Sequence, residues 1–490
     1  MRRYKAYEPD QSVFISFSSK DNYPLGSFER FVVDVFGQIS FDEAVFQAEV
    51  DKGGEAPYDP RAVFGAIFYG FTRGVFSSRK LELACKQDLG FMYVSGFSTP
   101  DHSTFSRYIS GQQDLIRDIY AKILYLADQQ GYIDYRLIAT DGTKIKANAS
   151  NRFTGTIEEF QKKQKRFEEK IAKALARHNS SEELEEKKYW ANKVDRYREN
   201  KQRVQRFLRE AQRIETKKGK EIKQNITDPD CRIMKIGGAF GEGYNAQASC
   251  SGESGIVIAA MVGNNVDDKE NLFKMESQIR SFVPECSQEQ LSNSKYLFDN
   301  GYYSTDNVLK AIEKGIDIYI PDTQDSKYYN RKSHEPRGAV GIADCTIDYD
   351  EQGLFVTCPG GRILRNWKIK RNNGKESYRF PVLSPAKCEG CTYHSICIGK
   401  QTKNWKDFTI LKSKLDERKI LSNYETKIRS EEGKRIYSNR MPLIERGFGY
   451  VKENIGFRRF LRRGLEKVTN EWFIVCSAYN LTRMFNLAYP

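Results

Sequence analysis

Apolar residues recur at two different periods along this chain, and the period changes with position. After Asp59, Pro60 and Arg61, where Asp can cap a helix and Pro can fill its first turn, Val63, Ile67, Phe68 and Phe71 follow at helical spacing. Ser77 to Lys80 opens a second helix carrying Leu81, Leu83 and Ala84, and residues 99–103 form a capped turn into a third with Phe105, Tyr108 and Ile109. Residues 1–130 therefore read as a helical region after an extended start. Short helices joined by tight turns suit a helix-turn-helix DNA reader and an ordinary bundle equally well. His102 reads as a capping or structural residue.

The pattern then turns to strands. Leu137, Ile138 and Ala139, with the β-formers Thr140 and Thr143, predict a strand. Asp141 stands where that apolar run ends, and Gly142 is read as letting the backbone turn. Residues 295–299 repeat the arrangement, ending on Asp299 before Gly301. A carboxylate at such a place is costly to bury alone, so it is solvated, hydrogen-bonded or bound to a cation. Two strands each delivering an Asp suggest a divalent-metal site. Residues 243–248 and 255–262 read as neighbouring antiparallel strands, 271–282 as a helix, 308–312 as a helix and 316–320 as a strand. Residues 131–155 and 219–324 thus make a mixed α/β unit.

A charged insertion interrupts that unit. From 156 to 218 the composition shifts to Glu, Lys, Arg and Gln around a narrow stripe of Phe160, Phe167, Ile171 and Leu175. Residues 179–181 break the stripe, Ser180 and Glu183 read as a capping box, and Val194, Tyr197, Val204, Phe207 and Leu208 follow. This predicts a protruding antiparallel helical hairpin, whose basic face suits DNA, a second subunit or solvent.

Residues 325–412 form a second insertion, rich in Gly, Lys and Arg, that is read as β-rich and holds Cys358, Cys388, Cys391 and Cys397. These four can surround one structural Zn²⁺, with His394 as a substitute ligand; reduced cysteines in a small β module are the other reading. Residues 413–490 read as helical. Pro442 fits a first turn, and Glu445 and Lys452, seven apart, share a face. Arg458, Arg459, Arg462 and Arg463 alternate with Phe457, Phe460, Leu461 and Leu465, a basic stripe on an amphipathic helix that can lie along phosphates or face solvent. Trp472, Phe473, Val475, Tyr479, Leu481 and Met484 read as core of the closing helix.

Bulk properties narrow the partners. The 490 residues suffice for several domains, and 39% hydrophobic content suffices for their cores. Seventy-nine basic against 65 acidic side chains leave a charge of +14, which favours a polyanion, nucleic acid first. No apolar run approaches about 18 residues and no secretory leader is read, so a membrane role is excluded and a cytoplasmic, nucleoid-associated protein is expected. Ten cysteines, most of them dispersed, fit a reducing compartment better than a disulfide scaffold.

Asp141, Asp299 and Glu445 make a set of acids on separate elements. Such a set can hold two Mg²⁺ (or Mn²⁺) ions about 4 Å apart, although Asp228, Asp230, Asp267, Asp268, Glu431 and Glu432 compete for the role. The chain resembles the DDE-class transposases of bacterial insertion sequences. The N-terminal resemblance lies in residues 58–61 (Tyr-Asp-Pro-Arg), 78–81 (Ser-Arg-Lys-Leu) and 99–104 (Thr-Pro-Asp-His-Ser-Thr). It continues in residues 140–143, 227–230, 243–245 and 299–302 and in the Cys cluster. It is most specific in Arg440, Glu445, Phe448, Gly449, Lys452, residues 457–460 and 463–465, Glu471, Trp472, Tyr479 and Asn480.

That resemblance implies an RNase-H-like core, a central mixed sheet flanked by helices, behind a helical N-terminal transposase domain. It places the family's Tyr-Arg-Glu-Lys motif on Tyr437, Arg440, Glu445 and Lys452, with four residues rather than the usual three between Arg440 and Glu445. By carry-over, Asp141, Asp299 and Glu445 bind the metals, and Tyr437, Arg440 and Lys452 hold transposon-end phosphates and a displaced base. The implied activity is cleavage at terminal inverted repeats and transfer of the 3′-hydroxyl ends into target DNA. The implied partners are double-stranded DNA and a second copy of the chain. An inactive DNA-binding descendant and a stand-alone metal-dependent nuclease are the rival readings.

Overall fold

The computed structural model of the protein describes residues 18–41, 57–216, 219–322, 340, 342, 345–365, 368–372, 375–382, 388–398 and 407–490. The extended start expected before the first helix lies outside the described residues, as do parts of the 325–412 insertion. The chain forms two compact units, Met1–Ser292 with Pro442–Pro490, and Asn293–Met441. It is a mixed α/β protein with a helical N-terminal region. Among the described residues no helix is long and apolar enough to cross a membrane.

In the first unit the helices Pro60–Thr72, Ser78–Gln87 and His102–Gly111 form where the capping residues announce them. Asp59 accepts the Arg61 amide and Asp101 the Thr104 amide, satisfying donors that a helix start leaves open. Val63, Ile67, Phe68, Phe71, Leu81, Phe105, Tyr108 and Ile109 are all removed from solvent, whereas Leu83 is exposed. The closing helix, Leu465–Ala488, packs against the Pro60 helix and against the helix Gln113–Gln129. Its apolar residues surround the axis, and Trp472, Phe473, Val475, Tyr479, Leu481 and Met484 are buried as core.

This helical layer covers four antiparallel strands: β1 (Leu137–Lys146), β2 (Arg232–Ile236), β3 (Ala239–Ser251) and β4 (Val257–Gly263). The long β3 pairs with β1 along one edge and with β2 and then β4 along the other. The helix Leu272–Phe282 forms as expected and packs on β3 and β4.

The expected turn at Gly142 does not occur. β1 runs straight through it, with Asp141 opposite Ala248 and Gly142 opposite Gln247. Glycine is required there for space instead. A Cβ would stand 2.2 Å from Gln247 Nε2 and 2.8 Å from both Asn245 Oδ1 and Asp268 Oδ1.

The charged hairpin is present as Ile157–Ser180 and Leu184–Glu210. Its capping box is at the first helix, from Thr156 and Glu159, and not at Ser180 and Glu183. Ser180 is the last residue of the first helix and its hydroxyl donates to the Arg177 carbonyl. Phe160, Ala174, Val194 and Val204 are the buried part of the stripe, while Leu175 lies at the exposed edge.

In the second unit β5 (Lys295–Phe298) lies parallel to β6 (Asp317–Tyr319), with the helix Thr305–Glu313 between them in sequence. Downstream come two small antiparallel sheets. One holds Thr346–Asp350, Gly353–Thr357 and Ile363–Leu364; the other holds Lys368–Asn372, Lys375–Phe380 and Phe408–Leu411. Val356, Phe380, Phe408 and Ile410 give them an apolar core of their own. Helices Ser413–Arg429 and Glu431–Ser438 follow, and the boundary between units falls within Arg440–Gly449.

Candidate active site and its supports

Asp141 projects from β1 on the same face as Ala139, Ala248 and Cys250, because directly paired antiparallel residues share a face. Its Oδ1 accepts the Gly142 amide at 2.7 Å. The opposite face carries a separate polar network. There Lys144, Asn245 and Gln247 all reach the Asp268 carboxylate, with Nζ at 3.2 Å and the two amides at 2.6 and 2.7 Å. The strand thus separates two carboxylates by its pleat, and Asp268 is already neutralised by its neighbours.

Glu445 is exposed on the helix Arg440–Gly449. Gly447, two residues on, seats that helix: a Cβ there would be 3.5 Å from Cys250 Sγ. The helix therefore packs on the face of the sheet that bears Asp141. It continues into a π-helical turn, Tyr450–Asn454, which carries Lys452. The wider turn shifts Lys452 from the seven-residue alignment with Glu445 that a regular helix would keep. Burial pushes the Lys452 ammonium below the ordinary lysine range, while Asp141, within electrostatic reach, holds it up.

In the second unit Asp299 follows the end of β5 and caps a short 3₁₀ turn, its Oδ1 accepting the Gly301 amide at 2.9 Å. Tyr437 and Arg440 are neighbours there, with Arg440 Nε 3.4 Å from the phenol oxygen, and Arg440 is buried. The four cysteines line a single cavity of about 40 Å³ together with His394 and Arg362. Arg362 Nη1 is 3.1 Å from Cys388 Sγ, and His394 Nε2 is buried with no hydrogen-bond partner among the described residues. Among the described residues no three His, Cys, Asp or Glu side chains stand together closely enough to hold a metal ion.

The basic segment differs most from expectation. Residues 455–464 are not helical; Gly456 and Gly464 take φ of 77° and 85°, and Phe460 N bonds the Lys146 carbonyl at the end of β1. Arg459 and Arg463 both bond Asn148, while Arg458 pairs with Glu453 at 2.5 Å. Arg462 does not join them on the surface. Its Nε and Nη2 are buried, and burial lowers its pKa against the pull of Glu471.

Sequence reasoning overlooked what holds this segment. Glu471, fully buried, accepts the amides of Leu461 (3.0 Å) and Arg462 (3.1 Å). Asp228 Oδ1 accepts the Gly464 amide at 3.1 Å and the Tyr244 hydroxyl at 2.6 Å, and Asp230 accepts the Leu465 amide at 2.8 Å. One signal was available: Glu471 stands directly before the apolar run of residues 472–476, at the entry to the core stretch of the closing helix.

Residues 357–485 match the family model of a transposase DDE domain, and residues 12–111 match that of a transposase domain (DUF772). No curated protein matches the chain. The two matches indicate an insertion-sequence transposase of the DDE type, an enzyme acting on DNA, and that family uses divalent metal. Glu445, Lys452, Tyr437, Arg440 and the four cysteines fall inside the first matched segment; Asp141 and Asp299 lie outside both.

Proposed function

We propose that the chain cleaves DNA at the terminal inverted repeats of an insertion sequence and joins the freed 3′-hydroxyl ends to target DNA, in an RNase-H-like core. The observation that carries this reading is Lys452. It belongs to the matched segment, yet it stands within electrostatic reach of Asp141, an acid outside that segment singled out on independent grounds. Asp141, Asp299 and Glu445 supply only carboxylate oxygens, a donor set that suits Mg²⁺ or Mn²⁺, and they would hold two such ions. When bound, the metal would lower the pKa of the attacking water or hydroxyl and stabilise the leaving oxygen.

The chain's own residues do the rest. Lys452 would meet charge building on the scissile phosphate. Arg440, with Tyr437 beside it, offers a planar guanidinium suited to a two-oxygen grip on phosphate. Pairing two transposon ends calls for two copies of the chain on DNA, in the cytoplasm. Cys358, Cys388, Cys391 and Cys397 would hold a structural Zn²⁺, supported by their common cavity and by the unpartnered His394 nitrogen in its wall.

The test is a plasmid carrying the terminal repeats that flank the coding sequence, incubated with protein and Mg²⁺. Cleavage and joining are expected from wild type, and background levels of both from Asp141→Ala, Asp299→Ala and Glu445→Ala, with DNA binding retained. Cleavage without joining would identify a nuclease, and binding without cleavage an inactive descendant. Wild-type turnover in any one variant would remove that acid from the site. About one zinc per chain, lost when the four cysteines are replaced by serine, is expected from elemental analysis; zinc-free folded protein would leave a thiol module.

A further inference from the structure

Past its last residue, Lys146, strand β1 hands the chain to Ala147 and Asn148, and the basic segment of residues 455–464 meets it there. Phe460 N donates to the Lys146 carbonyl at 2.9 Å, and Arg459 stands opposite Lys146 in a parallel bridge. Asn148 closes the junction with both its side chain and its backbone. Its Nδ2 donates to the Leu461 carbonyl at 2.7 Å, its Oδ1 accepts Arg459 Nη2 at 3.2 Å, and its carbonyl accepts Arg463 Nε at 2.8 Å. Ala147 N, bonded to the Glu242 carbonyl at 3.0 Å, keeps this end of β1 on β3.

The other end of the segment is attached to the turn that carries Lys452. Arg458 Nε donates to the Lys452 carbonyl at 3.1 Å, and Phe457 N to the Val451 carbonyl at 2.9 Å. Between the two attachments Phe457 and Phe460 are fully buried with their rings 5.3 Å apart, which stiffens the link. The bridge is parallel, so both stretches of chain run the same way. Lys452 lies seven residues before Arg459 and Asp141 five before Lys146, and these two are within electrostatic reach of one another. A register set at one end therefore carries through to the pair at the other.

We infer that Asn148 is a positioning residue for the proposed reaction, clasping residues 459–463 to the end of β1 and so holding the Lys452 ammonium beside the Asp141 carboxylate. The inference rests on the transposase reading and names a residue outside both matched segments. Asn148 acts through Lys452 and needs no contact of its own with DNA or metal. With the clasp gone, Gly456, at φ 77°, is the swivel between the Lys452 turn and the segment. A displacement of about 1 Å at a reacting group can cost about 10²-fold in rate. Glu471 and Asp228 still anchor the segment from other elements, so the fold is expected to survive loss of the Asn148 side chain.

The experiment is a double-mutant cycle read by single-turnover cleavage. A labelled duplex carrying the terminal repeat is incubated with Mg²⁺ and saturating full-length protein, with anisotropy for DNA affinity and thermal melting for folding. Lys452→Ala is expected to slow cleavage about 10²-fold. Asn148→Ala is expected to slow it about 10-fold with DNA affinity kept. The double variant should be no slower than Lys452→Ala alone, because Asn148 then has nothing to position. Asn148→Gln, which carries the same amide on a longer stem, is the second variant should Asn148→Ala melt early. It should show a smaller loss that again vanishes in the Lys452→Ala background. Effects that multiply in the double variant, or an unchanged rate in the folded Asn148 variants, overturn the inference and leave the three carboxylates in place. A fall in DNA affinity with the saturated rate preserved would make Asn148 part of the surface that holds DNA, and the inference would again fall. Wild-type protein that binds the duplex without cleaving it overturns the transposase chemistry and the inference together.

Discussion

The hairpin of residues 157–210 and the basic segment of residues 455–464 carry the same kind of sequence, charged side chains around an apolar stripe. One is a pair of long helices and the other is not helical at all. In the hairpin the organising interactions are near in sequence. Thr156 and Glu159 cap each other and Lys162 pairs with Glu158 one turn away, while Phe160 meets Phe207 at the base of the hairpin, opposite the end where the helices connect. In the basic segment the amides of Leu461, Arg462 and Gly464 are taken by carboxylates from outside it, Glu471 and the distant Asp228, and Asp230 takes the Leu465 amide that follows. Two glycines supply backbone angles that a helix excludes. Hydrophobic periodicity describes which side chains seek the core; it does not record which buried acceptors compete for the backbone.

That contrast can be broken at Glu471. Replacing it by Ala leaves the Leu461 and Arg462 amides without acceptors and the buried part of Arg462 without a counter-charge. A loss of about 3–5 kcal/mol is expected in denaturant unfolding. A loss below 1 kcal/mol (an order-of-magnitude threshold) would mean that the segment is held by its own sequence.

A smaller effect is expected from Glu471→Gln, through pH. Burial pushes the Glu471 carboxyl up to about 6, against the opposing pull of Arg462 and of the two amides. The folded chain therefore keeps this proton at a pH where the unfolded chain has released it. The resulting stabilisation is fully present below the ordinary glutamate value and lost as pH rises through about 6. Between about pH 4.5 and 7 it amounts to roughly 2 kcal/mol. The glutamine variant should lack that part of the melting-temperature profile, and parallel profiles for the two proteins would exclude Glu471 as the source.

The smallest effect belongs to the hairpin. Thr156→Ala removes one half of its capping box and should cost about 1 kcal/mol, confined to the first turn and read as faster amide exchange at Ile157–Glu159. Global unfolding accelerated to the same degree would show that the hairpin is coupled to the core and not locally organised.

Local signals located most of the elements. Asp59 and Asp101 announced their helices, and 243–248 and 255–262 announced the antiparallel pair. The apolar residues of the closing helix announced its burial. The candidate site was legible in part: Asp141 was correctly placed on a strand, but its position at a turn was not. Gly142 was read as conformational freedom, whereas it answers to crowding by Gln247, Asn245 and Asp268, residues more than 100 positions away. Ser180 and Glu183 had the spacing of a capping box, but the first helix extends through Ser180, so the hydroxyl bonds backwards to Arg177.

By itself the sequence determined what depends on near neighbours and on composition. It specified the helix starts, the alternating strands, the charge that calls for a polyanion and the four cysteines of one module. The tertiary structure alone decided which face of β1 bears Asp141 and which meets the neutralised Asp268. It also brought Lys452 within reach of Asp141 and turned Arg462 inward while Arg459 and Arg463 stayed on Asn148. The reason is that a hydrogen bond between residues hundreds of positions apart leaves no periodic trace in either partner. Its cost and benefit appear only once the chain has closed around it.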